Sequence, residues 1–406
     1  MCLLSGAGLC LTASAEVLDR PGGIKIGERM TLRPYLSLSL TYDTNLRASH
    51  DGDSGSCNWT ISPGLSLSYD AENWSLLLTA YYSFHQYFES EDSDFDSHSF
   101  GEDLRWNWAN STGAEKGWSL VLGESFQQYM RADSMMIGDR EYNADTRQWQ
   151  LSGAVQRRFN EYWHGDFNAD YYWLDYMNDD RAAGSYYGWD RWRAGLEAGF
   201  APSRWTDFIV SGAYQGYSQD NAEGSQTVGD SSTGMSLQGG LASYMTDRIS
   251  YRLLAGWSRF EYGDGANSCN GFVYTASGNW KIGETWNTML LASSYYQPSE
   301  RQYASQSRVD AISWGIAKLM VRGKLRATFD LRYRRETNEY VLNDGDYDYI
   351  LNIVTGRFGL HYSFNRFLSI FGAVEYQKSL NDESDRRGGA YDYDRFRGTI
   401  GLTLSY

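Results

Sequence analysis

Residues Trp74 to Phe88 read WSLLLTAYYSFHQYF. At every second position Trp74, Leu76, Leu78, Ala80, Tyr82, Phe84 and Phe88 fall together, interrupted only by Gln86, while Ser75, Thr79, Ser83 and His85 occupy the alternate set. Successive side chains leave a strand in opposite directions, so this period of two predicts a β-strand with unlike faces. The second face is mixed, because Leu77, Tyr81 and Tyr87 also lie on it. Just before the stretch lies a short polar connector, Asp70 to Asn73, and just after it a long acidic one, Glu89 to His98.

The same unit recurs along the chain from Arg33 to Tyr406. Short connectors stand at Asp70 to Asn73, Ser111 to Gly117, Asn160 to Glu161, Ala201 to Arg204, Thr246 to Arg248, Lys281 to Thr285, Arg322 to Lys324 and Asn365 to Arg366. The aromatic or aliphatic starts that follow them, Trp74, Trp118, Tyr162, Trp205, Ile249, Trp286, Leu325 and Phe367, are spaced by one antiparallel hairpin each. Longer polar loops alternate with the short turns, which gives about eighteen strands. A soluble sandwich or propeller has no reason to place every short connection at one end and every long one at the other. A transmembrane barrel does, and its strands alternate lipid-facing apolar with lumen-facing polar residues. The expected fold is therefore all-β: an antiparallel up-and-down transmembrane barrel with short periplasmic turns and long external loops. Trp74, Trp118, Trp163, Trp205, Trp280 and Trp286, each beside a short turn, form an expected periplasmic aromatic girdle. The final strand alternates most cleanly: Phe396, Gly398, Ile400, Leu402, Leu404 and Tyr406 against Arg395, Arg397, Thr399, Thr403 and Ser405. Pro63 interrupts the second strand, so that strand is expected to start near Gly64 or to carry a bulge.

Composition agrees. The 406 residues include 42 Gly, 5 Pro and 16 % aromatics, too aromatic for a disordered chain. A mean hydropathy of -0.55, with no long apolar run after the first twenty residues, excludes a helical membrane protein. Residues 1–15 are apolar and end in Ala13-Ser14-Ala15, an expected signal-peptide cleavage pattern that lacks its basic opening. A periplasmic segment, 16–32, and the barrel, 33–406, follow. Cys2 and Cys10 belong to the removed part, and Cys57 and Cys269 lie far apart around the expected ring, which argues against a disulfide.

Arg33-Pro34-Tyr35-Leu36-Ser37-Leu38-Ser39-Leu40-Thr41-Tyr42-Asp43-Thr44-Asn45-Leu46, followed by Ser62-Pro63-Gly64-Leu65-Ser66-Leu67-Ser68-Tyr69, resembles the opening of the putative β-barrel porin 2 family. The resemblance implies a bacterial outer-membrane location and an association with exopolysaccharide or capsule export. It supplies no catalytic residues. Leu402-Thr403-Leu404-Ser405-Tyr406 resembles the terminal signal read by the outer-membrane barrel assembly machinery.

Charge is unevenly spread. The nine long loops (47–58, 89–98, 131–141, 178–188, 219–231, 262–270, 297–307, 343–347 and 381–391) together carry the formal charge of the whole chain, -15. The densest run is Glu89, Glu91, Asp92, Asp94 and Asp96. Such loops are either simply solvated or bridged by divalent cations to lipopolysaccharide or surface polymer. No basic patch is available for nucleic acid. On the polar strand faces, Arg105, Arg158, Arg191, Arg193, Arg326, Arg332, Arg334, Arg357, Arg395 and Arg397 are expected to point into the lumen. With them go Asp103, Asp166, Asp170, Glu197, Asp330, Glu336 and Glu375. Those arginines either favour anions, acidic saccharides included, or pair with the carboxylates to stiffen the wall. Inward Tyr172 could stack a sugar.

Nucleotide-binding, hydrolase and metal motifs are absent from the sequence, and His50, His85, His98, His164 and His361 show no ligand spacing. No cofactor is expected. His98 near Asp94 and Asp96 is the local pair to weigh for a barrel hydrolase. The expectation is a non-enzymatic, porin-like conduit for small solutes or exopolysaccharide, with a structural or adhesive surface barrel acting through acidic loops as the alternative.

Overall fold

The computed structural model describes residues 23–45, 55–89, 95–110, 117–130, 135–137, 140–142, 146–176, 188–203, 205–219, 231–246, 248–262, 268–298, 304–342, 345–381 and 393–406. The residues expected to form a signal peptide, 1–15, and most of the long loops lie outside them. The first half of the chain supplies β1 (Ile24–Ile26), β2 (Met30–Asp43), β3 (Ser56–Asp70), β4 (Trp74–Glu89), β5 (Phe95–Ala109), β6 (Gly117–Met130), β7 (Met135–Ile137), β8 (Arg140–Tyr142), β9 (Thr146–Arg158) and β10 (Trp163–Tyr176). The second half supplies β11 (Trp189–Ser203), β12 (Thr206–Gln219), β13 (Ser231–Thr246), β14 (Ile249–Tyr262), β15 (Ser268–Ile282), β16 (Trp286–Pro298), β17 (Ala304–Met320), β18 (Leu325–Leu342), β19 (Gly345–Ser363), β20 (Leu368–Asn381) and β21 (Tyr393–Ser405).

Leaving aside β1 and the small β7–β8 hairpin, the remaining eighteen strands pair antiparallel with their chain neighbours. The ring closes where β2 pairs with β21, from Tyr35↔Ser405 to Asp43↔Arg397. Closure satisfies every edge, which a membrane-spanning sheet requires because lipid offers no hydrogen-bond partners. Across that seam Thr41 and Thr399 hydroxyls lie 3.1 Å apart, and the Tyr406 amide donates to the Pro34 carbonyl at 3.1 Å.

Three boundaries differ from the sequence expectation. The first barrel strand begins at Met30 rather than Arg33, and Ile24–Ile26 folds back on it through Ile24↔Leu32. Pro63 neither starts a strand nor makes a bulge: it sits inside β3 opposite Leu36, and the register to β4 is the same before it, Ile61↔Phe84, as after it, Gly64↔Tyr81. The missing amide costs ladder pairing toward β4 only, and a 2.7 Å hydroxyl contact between Ser62 and Ser83 spans the gap. The loop expected at 343–347 shrinks to two residues, because pairing of β18 with β19 continues to Leu342↔Gly345. Polarity marks where a strand leaves the apolar layer, whereas backbone pairing can continue beyond it.

Register and exposure assign the two faces. Leu196, Leu237 and Ile400 are 63–66 % exposed, while Ser66, Ser369 and Ser379, on the opposite parity of their strands, are at most 2 % exposed. Apolar side chains point out and small polar ones point in, the inverse of a soluble core. All six girdle tryptophans are exposed on the outward face beside short turns. Arg157 stacks on Trp118 at 4.5 Å and Lys318 on Trp286 at 4.2 Å, placing cations at the expected interface level. The ambiguous strands resolve the same way, with Trp257 and Trp314 outward and Leu254 and Phe260 inward and buried.

Two glycines shape the wall. A Cβ on inward Gly240 would run into the Leu253 carbonyl, and one on inward Gly256 into the Leu237 carbonyl. Without a Cβ at either position the β13 and β14 backbones approach closely there, an approach that side chains would forbid.

Candidate functional site: the charged inner wall

The inner wall is built by parity, so each inward residue follows from its strand register. One register row crosses five strands at the seam: Asp330↔Arg357, Arg357↔Glu375, Glu375↔Arg397 and Arg397↔Asp43. Its charges alternate in sign. Asp43 is 2 % exposed and accepts hydrogen bonds from Arg395 Nε at 2.8 Å and from Arg397 Nε at 3.0 Å. Its other oxygen takes the Asn45 amide at 3.1 Å. Two guanidiniums on one carboxylate fix the outer end of β21 against β2.

The remaining expected inward residues sort by partner. Arg191 pairs with Asp170 at 3.3 Å, and Arg334 pairs with Glu336 on its own strand. Arg193 lies opposite Asp170 and Asp166 opposite Glu197. Arg105 donates to Asn107 at 3.2 Å, and Arg158 to the Glu161 carbonyl at 3.2 Å. Asp103 lies on the inward parity of β5, opposite Thr79 and Ser125. Arg326, Arg332 and Arg357 form no ion pair with any described residue, and Arg326 and Arg332 are exposed to the lumen. The wall is thus mixed: ion-paired arginines at the seam and on β10–β11, and unpaired cations on β18–β19.

A second cluster lies near the periplasmic end and was not legible in the sequence. His164 Nε2 is 2.7 Å from Asp207, with Asp166 at 4.0 Å from its Nδ1. Nearby, Arg252 clamps Glu197 bidentately, reaching from β14 over β13 and β12 to β11. Arg252 shares its face with Leu254 and Phe260, so β14 reads as apolar on both sides and gives no inward signal.

His98 does not sit in a polar cleft. Its ring lies on the outward face, 5.1 Å from the Phe84 ring and with Nδ1 2.5 Å from the Tyr82 hydroxyl; Asp94 is outside the described residues. Cys57 on β3 and Cys269 on β15 are not disulfide-bonded. No group of three metal-ligating side chains occurs among the described residues.

The family model for putative beta-barrel porin 2 matches residues 20–406. The chain belongs to that family. It is accordingly a barrel of the bacterial outer membrane with the fold of a porin. A comparison with curated proteins finds no match. Among solved structures, OpdK of Pseudomonas aeruginosa, solved with vanillate, matches at 12 % identity and a TM-score of 0.44, covering 92 % of this chain and 99 % of its own. BauA, the ferric preacinetobactin receptor of Acinetobacter baumannii, matches at 9 % identity and 0.47, covering 91 % of this chain and 80 % of its own. The FrpB iron transporter of Neisseria meningitidis matches at 9 % and 0.44, covering 97 % and 83 %.

Proposed function

We propose that this barrel is a porin-like, non-catalytic conduit for small solutes, with exopolysaccharide as the solute class that the family resemblance adds. The observation that supports the reading is the inner face of a closed eighteen-strand ring, lined with polar and charged side chains and interrupted by inward apolar ones such as Leu254 and Phe260. Rings of 16–18 strands are wide enough for an aqueous channel, whereas eight-strand rings are filled by their side chains. In this reading outer-membrane lipid and lipopolysaccharide surround the outward face, and the assembly machinery engages the C-terminal strand.

Solute preference in this reading comes from the unpaired cations on β18 and β19. Arg395, Arg397, Arg191 and Arg334 have a carboxylate within contact, which cancels most of their field at a distance. Arg326 and Arg332, whose register partners are uncharged or His361, retain theirs, while Arg357 is partly offset by Asp330 and Glu375 beside it, so the wall favours small anions modestly. The test is planar-bilayer conductance of the refolded chain. An open channel is expected, and Arg332→Gln with Arg357→Gln should move its reversal potential toward cations. The shift should grow at low salt, where the Debye length rises from about 8 Å to about 30 Å. A folded barrel without conductance would overturn the conduit reading.

A further inference from the structure

Charge is shared unevenly around the periplasmic rim. The connections between β13 and β20 at that end, 247–248, 283–285, 321–324 and 364–367, hold Arg248, Arg322, Lys324 and Arg366 against Asp247 and Glu284. Lys281 and Lys318 stand beside them near the ends of β15 and β17. The connections of the first half, 27–29, 71–73, 110–116, 159–162 and 204–205, hold Arg29, Lys116 and Arg204 against Glu28, Glu72, Glu115 and Glu161. One arc of the rim is therefore basic on a chain whose net charge is -15. Backbone bonds of 2.8 Å join its connections: the Lys281 amide donates to the Arg248 carbonyl, the Leu319 amide to the Thr285 carbonyl and the Ser363 amide to the Lys324 carbonyl. None of the six cations of the arc forms an ion pair with a described residue.

Apolar side chains are interleaved with these cations. Leu319, Val321, Phe364 and Phe367 are all exposed along the arc. Lys318 Nζ lies 4.2 Å from the centre of the Trp286 ring, and Arg366 Cζ 4.5 Å from that of Phe367. Girdle rings sit at the bilayer interface, so the two stacks hold positive charge at headgroup level. The turn between β17 and β18 adds backbone strain to the pattern. Val321 and Arg322 have φ of 52° and 56°, the left-handed region that a β-branched residue rarely enters, and the Gly323 amide closes the turn on the Met320 carbonyl at 3.1 Å. The chain does not bury the side chain so displayed, since Val321 is 57 % exposed. An apolar group and a guanidinium are carried out together past the end of β17.

We infer that the periplasmic arc from β14 to β20 is a binding surface for anionic phospholipid of the inner leaflet. Lys318, Arg322, Lys324 and Arg366 meet the phosphates, and Leu319, Val321, Phe364 and Phe367 enter the layer just below them. A lipid with a zwitterionic head brings its own cation and gains less from this arc, whereas one of net negative charge gains from each lysine or arginine near the surface. An acidic protein would meet the same charges, but apolar residues between the cations and cations stacked on girdle rings fit an amphiphile lying in the interface. The inference rests on the outer-membrane placement of the barrel and not on conduction.

The experiment is electron spin resonance on the full chain refolded in phosphatidylcholine vesicles, with trace spin-labelled phosphatidylglycerol or spin-labelled phosphatidylcholine as probe. The fraction of each probe immobilised at the barrel surface gives their relative association. Averaged over the whole perimeter, phosphatidylglycerol should be preferred by at least about twofold. Lys318→Gln, Arg322→Gln, Lys324→Gln and Arg366→Gln combined should bring the ratio close to one. Lys25→Gln, Arg29→Gln and Arg157→Gln combined, on the other side of the rim, should leave most of it. In the wild-type chain, for which folding is not in question, the preference should fade at about 1 M salt, where the Debye length is about 3 Å. Equal association of the two probes with the wild-type chain, a preference that salt does not weaken, or one that the second set of substitutions removes as fully as the first would overturn the inference. Salt-sensitive binding of polyglutamate to the refolded barrel without any lipid preference would also overturn it, and would make the arc a dock for an acidic protein.

Discussion

Asp43 ties the two ends of the ring together by its side chain. It is buried at the outer end of β2, and two guanidiniums from β21 converge on it. Removing one partner of a buried ion pair leaves the other charge uncompensated, which typically costs about 3–5 kcal/mol. Asp43→Asn should therefore destabilise the barrel by about that much, measured by urea unfolding in lipid vesicles. Arg397→Gln should cost distinctly less, because Arg395 still holds the carboxylate with its own hydrogen bonds. Equal losses from the two variants would mean that Arg397, and not Arg395, carries the closure. The alternation of β21 made Arg395 and Arg397 legible as inward residues. Asp43 was not, because a carboxylate at a strand end beside a polar loop reads as part of that loop.

At the scale of the element, the period of two assigns faces to whole strands. Ile400 is 65 % exposed on the outward face of β21, so Ile400→Arg should cost about 2–4 kcal/mol near the bilayer midplane, or block assembly. Thr399→Arg, one residue away and inward, should be tolerated far better in the same folding assay. The outward face also holds carboxylates near mid-strand. Glu102 shares its parity on β5 with exposed Phe100, and Glu124 shares its parity on β6 with exposed Leu122; Glu124 accepts a hydrogen bond from Trp149 Nε1 at 3.0 Å. Carboxylates facing lipid are unfavourable, though less so than arginine or lysine. Glu102→Leu should therefore leave folding intact and raise stability by up to about 1 kcal/mol; a loss would show that Glu102 is held by something other than lipid. Both glutamates stand in correct alternation, yet their type gave no hint of the face, because pattern reading assigns a charged residue to water by default.

For the whole molecule, the connections set the orientation. Eight connections at one end span two to seven residues, among them 71–73, 204–205 and 247–248, while several at the other end exceed ten, among them 131–145 and 382–392. Short connections mark the periplasmic side of outer-membrane barrels. In a chain with all four cysteines replaced by Ser, Ser231→Cys should react with an impermeant thiol reagent on intact cells, and Glu72→Cys should not. The reverse pattern would invert the barrel.

Strand alternation and connection length, both written in the order of residues, determined the class, the number of strands, the girdle and the facing of Arg191, Arg357 and Arg397. These properties are local, since a strand's faces depend only on its own period of two and a hairpin only on its own turn. Which charges meet is not local. Asp43 finds Arg395 because closure joins the two ends of the chain, Arg252 finds Glu197 because its side chain reaches across the two strands between them, and Trp189 stacks between Tyr172 and Tyr217 because three registers align. Parity decides that a side chain points inward; stagger and curvature, which only the assembled ring possesses, decide what it reaches there.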